Sequence, residues 1–131
     1  MSNPTRKGLL VGYARTSTAE QEAGLQAQVR DLQAAGCAKI FREQVSSIAA
    51  RTELGRALEY VRGGDTLVVT KVDRLARSTV GLWEIVKRLE AVEDGGAGLR
   101  VLNLGGEMVD TKSATGKLIL TIFAGFRAVR T

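Results

Sequence analysis

The chain contains no histidine, a single cysteine and no apolar run long enough to cross a membrane, and each absence closes off some chemistry. Without histidine, proton transfer falls to carboxylates, lysine, tyrosine, cysteine or water. The Cys and His ligands of a zinc centre are missing, so no metal site is expected. Cys37 alone rules out an internal disulfide. Lying between Gly36 and a short apolar run, it reads as a buried thiol rather than a reactive one. The apolar stretch from Leu9 to Ala14 is too short for a signal or a membrane span, so a cytoplasmic protein is expected. No repeat, linker or low-complexity segment interrupts the chain. The glycine-rich stretch from Asp94 to Gly98 precedes an expected strand and lacks a following Lys-Ser/Thr pair. It is a turn rather than a phosphate loop, and no nucleotide cofactor is expected.

What remains is an ordinary globular composition. The 131 residues are 44% hydrophobic and 25% charged, enough to build one domain with its own core. The formal charge of +5 fits a polyanionic partner and also fits a mildly basic surface.

Periodicity supplies the fold class. Leu9–Ala14 is continuously apolar, as in a strand buried on both faces of a parallel sheet. Thr18 can cap a helix reaching Ala35, with Leu25, Val29 and Leu32 on one stripe and Gly36 just past its end. Lys39–Arg42 is a second strand, and Gln44–Ala50 is a polar loop. A helix over Glu53–Val61 ends at the turn Gly63-Gly64-Asp65. Thr66–Val72 is a β-branched third strand. The next helix, Thr79–Val92, carries Leu82, Ile85, Val86 and Leu89 on one face, with Trp83 off that stripe. A strand over Arg100–Leu104 follows, and a last helix starts near Ser113. Alternating strands and helices predict an α/β fold: a mostly parallel four- to five-stranded sheet flanked by helices, in flavodoxin-like order 2-1-3-4, with a long C-terminal helix.

In open sheets of this class, ligands bind beyond the carboxyl ends of the strands, where strand order reverses. Two polar clusters fall there: Tyr13-Ala-Arg15-Thr-Ser17-Thr18 after the first strand, and Lys71-Val-Asp73-Arg74-Leu-Ala-Arg77-Ser78 after the third. If strands one and three are neighbours, Ser17, Arg15, Asp73, Arg74 and Arg77 face one crevice. Guanidinium forks match phosphate oxygens and would stabilise the charge that builds up as a phosphoryl group transfers. Either cluster taken alone reads as a solvated charged turn; the pair at adjacent strand ends points to a phosphodiester site.

Tyr13-Ala-Arg-Thr-Ser17 resembles the Y-x-R-x-S signature that opens the catalytic domain of the serine site-specific recombinases, the resolvase/invertase family. Gln21 and Leu25-Gln26 match the glutamine pattern of the helix that follows. Arg51 stands where the family has its loop arginine. Asp73-Arg74-Leu-Ala-Arg77 resembles its D-R-L-x-R motif. Asp110-Thr111 with Gly116-Lys117-Leu118 is similar to the segment leading into its long helix. The resemblance covers nearly the whole chain.

It implies that Ser17 attacks a DNA phosphate to form a 5′-phosphoserine, with Arg15, Arg51, Arg74 and Arg77 on the scissile phosphate and no metal or nucleotide required. Asp73, flanked by arginines, suits a base or an arginine-orienting group better than a proton donor. Gln21 and Gln26 read equally as surface residues and as supports of the site. Residues 1–111 form the expected catalytic domain, and 112–131 the start of the dimerisation helix. That helix carries Leu118, Ile119, Ile122, Phe123, Phe126 and Val129 on a wide apolar face, which implies self-association as a dimer and, in synapsis, a tetramer. Lys71, Lys117, Arg127 and Arg130 are the expected DNA contacts. After Phe126 the family continues into an acidic stretch, an arm and a helix-turn-helix, where this chain reads Arg127-Ala-Val-Arg-Thr131. On this reading the helix is cut short and the DNA-binding domain is absent. Two other functions are compatible with parts of the pattern. One is a silent relic that pairs with an intact recombinase. The other is a small flavodoxin-like binding module, which leaves the arginines unexplained.

Overall fold

In the computed structural model, the described residues are 8–17, 22–44, 52–76 and 79–130. They form β1 (Leu10–Thr16), α1 (Glu22–Ala34), β2 (Lys39–Gln44), α2 (Thr52–Tyr60), β3 (Thr66–Val69), α3 (Val72–Leu75), α4 (Thr79–Glu90), β4 (Gly98–Leu104), β5 (Glu107–Asp110) and α5 (Ala114–Arg130). The sheet order is β2-β1-β3-β4-β5. The first four strands are parallel, and β5 runs antiparallel to β4. The architecture is the expected one, and strands one and three are neighbours. A fifth strand, which the sequence pattern did not locate, closes one edge.

The sheet separates two apolar layers. Val11, Tyr13, Leu67, Val69, Leu99 and Val101 face one side, where Leu54 and Leu58 of α2, Leu82, Val86 and Leu89 of α4, and Leu120 of α5 cover them. Ala14 and Val68 face the other side, under Leu32 of α1 and the partly buried Leu25 and Val29. Helix α1 lies close to β1 because position 12 is glycine: a Cβ there would sit 3.1 Å from both Leu32 Cδ1 and Cys37 Sγ. Removing the fully buried Leu32 side chain typically costs about 2–5 kcal/mol.

Cys37 packs into this second layer, as the sequence implied. Burial pushes its thiol up to about 11, with the nearby Arg100 charge working weakly against that. At pH 8 its alkylation by iodoacetamide is expected to run about 100-fold more slowly than that of a free thiol, because the thiolate is the nucleophile. The raised value also means that the unfolded thiol ionises first. Stability falls as pH rises from 9.0 towards 11, and a pH series of urea melts on the parent and Cys37→Ala proteins checks this.

Two elements differ from the sequence reading in ways that matter for the site. Strand β1 runs on to Thr16, so the polar Arg15 and Thr16 are part of a buried strand, at 8% and 0% exposure. Strand β3 stops at Val69, and Val72, expected to end it, instead opens the four-residue helix α3. Tertiary packing overrides β propensity here. Leu75 is fully buried in the main core and Val72 packs against it, a spacing of three that a helical turn satisfies.

Helix α5 starts one residue beyond Ser113, whose Oγ accepts the amide of Gly116 at 2.9 Å in a side-chain cap. Glycine is required at 116, since a Cβ would fall 2.0 Å from the carbonyl oxygen of Asp110. Lys117 pairs with Glu90 at the end of α4 at 2.8 Å, and Leu120 turns into the core. The opposite side of the helix presents Leu118, Ile119 and Ile122, which are 58%, 42% and 57% exposed. Among the described residues no helix is long and apolar enough to cross a membrane.

Candidate active site

The two polar clusters meet at the carboxyl ends of β1 and β3, and arginine side chains join them in both directions. Helix α3 is a single turn, so its last carbonyls have no partner within the helix. Arg15 supplies one for two of them: its Nη2 donates to the Asp73 carbonyl at 3.0 Å and its Nε to the Arg74 carbonyl at 3.3 Å. In return Arg74 Nη1 donates to the Arg15 carbonyl at 3.3 Å. A cation at a helix carboxyl end also opposes the dipole charge there. The sequence reading placed Arg15 on a bound phosphate; here its guanidinium is buried and brackets β1 to α3.

Ser17 is the first residue past β1, is partly buried, and lies two residues from the Arg15 bracket. Asp73 is 75% exposed at its side chain, and its Oδ1 lies 3.9 Å from Arg74 Nε, a loose pair open to solvent. Arg74 is 25% exposed at its side chain. Lys71 is exposed at the residue before α3. Arg51, Arg77 and Gln21 lie outside the described residues. Arg127 and Arg130 fall on the last turns of α5.

Lys117 is not part of this cluster. Together with Lys112, Gly64, Glu90 and Gly98 it lines a cleft at the amino ends of β3 and β4, across the sheet from Ser17. Among the described residues no group of three His, Cys, Asp or Glu is placed to hold a metal ion.

Two residues that the sequence reading passed over hold the site from behind. Gln28 of α1 is buried, and its side-chain amide grips the Arg15 peptide at both ends. Oε1 accepts the Arg15 amide at 3.1 Å, and Nε2 donates to the Arg15 carbonyl at 2.9 Å. Gln26, named in the sequence reading, is exposed instead. The signal for Gln28 was present: it sits three residues after Leu25 and four before Leu32, a polar residue inside the apolar stripe. Glu43 of β2 accepts the Tyr13 hydroxyl at 2.6 Å and the amides of Glu53 and Leu54 at 3.2 Å each. Its carboxylate thus closes the amino end of α2, the helix that opens one residue after Arg51. No local pattern marks Glu43, because its partners come from β1 and α2.

One group next to Ser17 is poorly served. The buried Thr16 Oγ1 has no hydrogen-bond partner among the described residues. An unsatisfied buried hydroxyl costs about 1–3 kcal/mol, so Thr16→Val is expected to stabilise the protein by roughly 1 kcal/mol. Urea denaturation checks this; a lower midpoint for the valine protein would show that the hydroxyl is bonded in solution.

The sequence profile of the family described as Resolvase, N terminal domain matches residues 10–131. The chain is 42% identical over 121 residues to the integrase-like protein y4lS of Sinorhizobium fredii, covering 88% of this chain and 62% of that protein. It is 39% identical over 115 residues to the DNA-invertase hin of Salmonella typhimurium, covering 87% and 56% respectively. It is 38% identical over 117 residues to the transposon Tn552 resolvase of Staphylococcus aureus, covering 88% and 56%. A mostly parallel sheet with the Ser17 and Asp73-Arg74 clusters at adjoining strand ends, matched along nearly its whole length, defines an N-terminal domain of the serine recombinase class. The chain belongs to the resolvase N-terminal domain family. It spans 56–62% of the length of these relatives.

Proposed function

We propose that this chain is the catalytic part of a site-specific DNA recombinase that breaks and rejoins DNA through Ser17. In the cleavage step the Ser17 hydroxyl loses its proton and its Oγ bonds to phosphorus. The bond from phosphorus to the 3′-oxygen breaks, and that oxygen takes up a proton to leave a free 3′-hydroxyl. The 5′-phosphate stays on the enzyme as a phosphoserine ester. One phosphate ester replaces another, so the reverse step needs no energy source. Arg51, Arg74 and Arg77 hold the phosphate and stabilise its developing charge. Arg15 adds positive charge and keeps the two strand tips together, and Asp73 orients an arginine or takes a proton. In this reading Gln21 and Gln26 support the site.

The observation that carries the reading is the reciprocal exchange of arginine-to-carbonyl bonds between β1 and α3, which brings the Ser17 and Arg74 segments to one point. The names of the relatives, an invertase and a resolvase among them, support the reaction class. Residues 1–111 make the catalytic body and 112–131 the start of a helix through which two copies pair. The exposed Leu118, Ile119 and Ile122 support that pairing, since an apolar stripe on an outward helix face favours a partner helix. In this reading Lys71, Arg127 and Arg130 contact DNA phosphates, whereas Lys117, expected among them, pairs with Glu90 away from the Ser17 cluster. A DNA partner is the ground for a cytoplasmic, nucleoid-associated location.

The test joins the protein to a DNA-binding module of known target and traps covalent adducts on supercoiled DNA carrying paired sites. Peptide mapping should find the phosphate on Ser17. An adduct on another residue, or none on several substrates, overturns the proposal and leaves a paired, silent module as the better description.

A further inference from the structure

We propose that Gln28 is a positioning residue for Ser17, acting through the Arg15 peptide group; the inference rests on the nucleophile role proposed for Ser17. The reason lies in the unequal lengths of the central strands. Strand β1 pairs with β3 only from Leu10 to Gly12, while along β2 it pairs as far as Thr16. From Tyr13 onwards β1 therefore has no strand on its β3 side, and buried main-chain groups on that side need partners of another kind. At Arg15 the Gln28 amide provides both an acceptor and a donor, as a neighbouring strand would. The grip lies two residues from Ser17, about 7 Å of extended chain, so a shift at Arg15 is passed on to the nucleophile.

The Arg15 carbonyl accepts two donors, Gln28 Nε2 at 2.9 Å and Arg74 Nη1 at 3.3 Å. The second is the longer bond and comes from the more exposed group. Arg74 is also one of the arginines assigned to the phosphate. When it turns outward, Gln28 keeps the buried carbonyl satisfied, and the strand tip stays where it was. Without the Gln28 amide, the same turn would take both of these donors from that buried carbonyl, a costly change inside a protein. Gln28 thus separates two tasks that would otherwise compete for Arg74: holding the strand and holding the substrate.

Two substitutions test this in the adduct assay, using the protein joined to its DNA-binding module. Gln28→Met keeps length and removes both bonds. Its rate of Ser17 adduct formation at saturating DNA is expected to fall about 100-fold, the usual penalty for a misplacement near 1 Å, while DNA affinity is retained. Gln28→Glu keeps the acceptor for the Arg15 amide but turns a second acceptor towards the Arg15 carbonyl unless the carboxyl is protonated. Its rate relative to the parent is therefore expected to rise as pH falls, a dependence that a packing role does not produce. If Gln28→Met reacts at the parent rate, the inference fails and the nucleophile role of Ser17 stands. If Gln28→Met does not fold, the glutamate protein decides, and a ratio that stays flat with pH overturns the inference. If the parent itself forms no adduct, the reading of Ser17 fails first.

Discussion

Ser17→Ala is expected to fold like the parent, to keep its affinity for DNA, and to form no covalent adduct, a loss on the order of 10⁴-fold or more. The size follows from the composition of the site. Among the described residues gathered at the ends of β1 and β3, the others are Arg15, Lys71, Asp73, Arg74 and the buried hydroxyls of Thr16 and Thr70, at 0% and 8% exposure. A short polar side chain at the rim of a domain usually changes stability by no more than about 1 kcal/mol when cut back to alanine, so the melting point should barely move. Adduct yield, DNA binding and thermal denaturation on the same preparations separate these effects. Residual adduct in the alanine protein would mean that another group attacks the phosphate.

Arg15→Met is expected to lose stability and activity together. It leaves the Asp73 and Arg74 carbonyls at the end of α3 without the donors they have now. Each orphaned and partly buried carbonyl costs about 1–3 kcal/mol, so a total near 3 kcal/mol is expected. For a domain of this size that is a drop of roughly 10 °C in Tm. Arg15→Lys restores the charge but cannot span both carbonyls from one planar fork, so it should recover only part of the stability. With α3 released from β1, the arginines of the second cluster lose their fixed distance from Ser17, and adduct formation should fall by at least about 100-fold. An Arg15→Met protein melting with the parent would show that the bracket contributes nothing to the fold.

That Ser17 and Arg15 stand in a polar cluster at a strand end was legible in the sequence, because such clusters interrupt apolar runs. The alternation of strands and helices was legible too, while right-handed crossovers admit the order 2-1-3-4 without dictating it. The ends of β1 and β3 were harder. Arg15 and Thr16 look like loop residues until one knows that Gln28 and α3 satisfy them inside the sheet. Val72 looks like strand until Leu75 is seen to need the same core. The supports of the site were hidden for a similar reason. Gln28 is polar, and periodicity arguments count polar positions as exposed, although its place inside the Leu25–Leu32 stripe argued for burial. Glu43 gathers a tyrosine from one strand and two amides from a helix that follows a loop, a set of partners that no spacing encodes.

The antiparallel β5 has a consequence for how copies of the domain can meet. An unpaired sheet edge invites strand-to-strand addition, and proteins commonly blunt it with short, charged or irregular strands. Here the edge is four residues long, carries Glu107 and Asp110, and is reached across a register shift between Val101 and Leu104 of β4. Asp110 is held inward by the Arg100 guanidinium at 2.8 Å. Growth of the sheet across this border is disfavoured, so strand-to-strand addition is blocked on the β5 side.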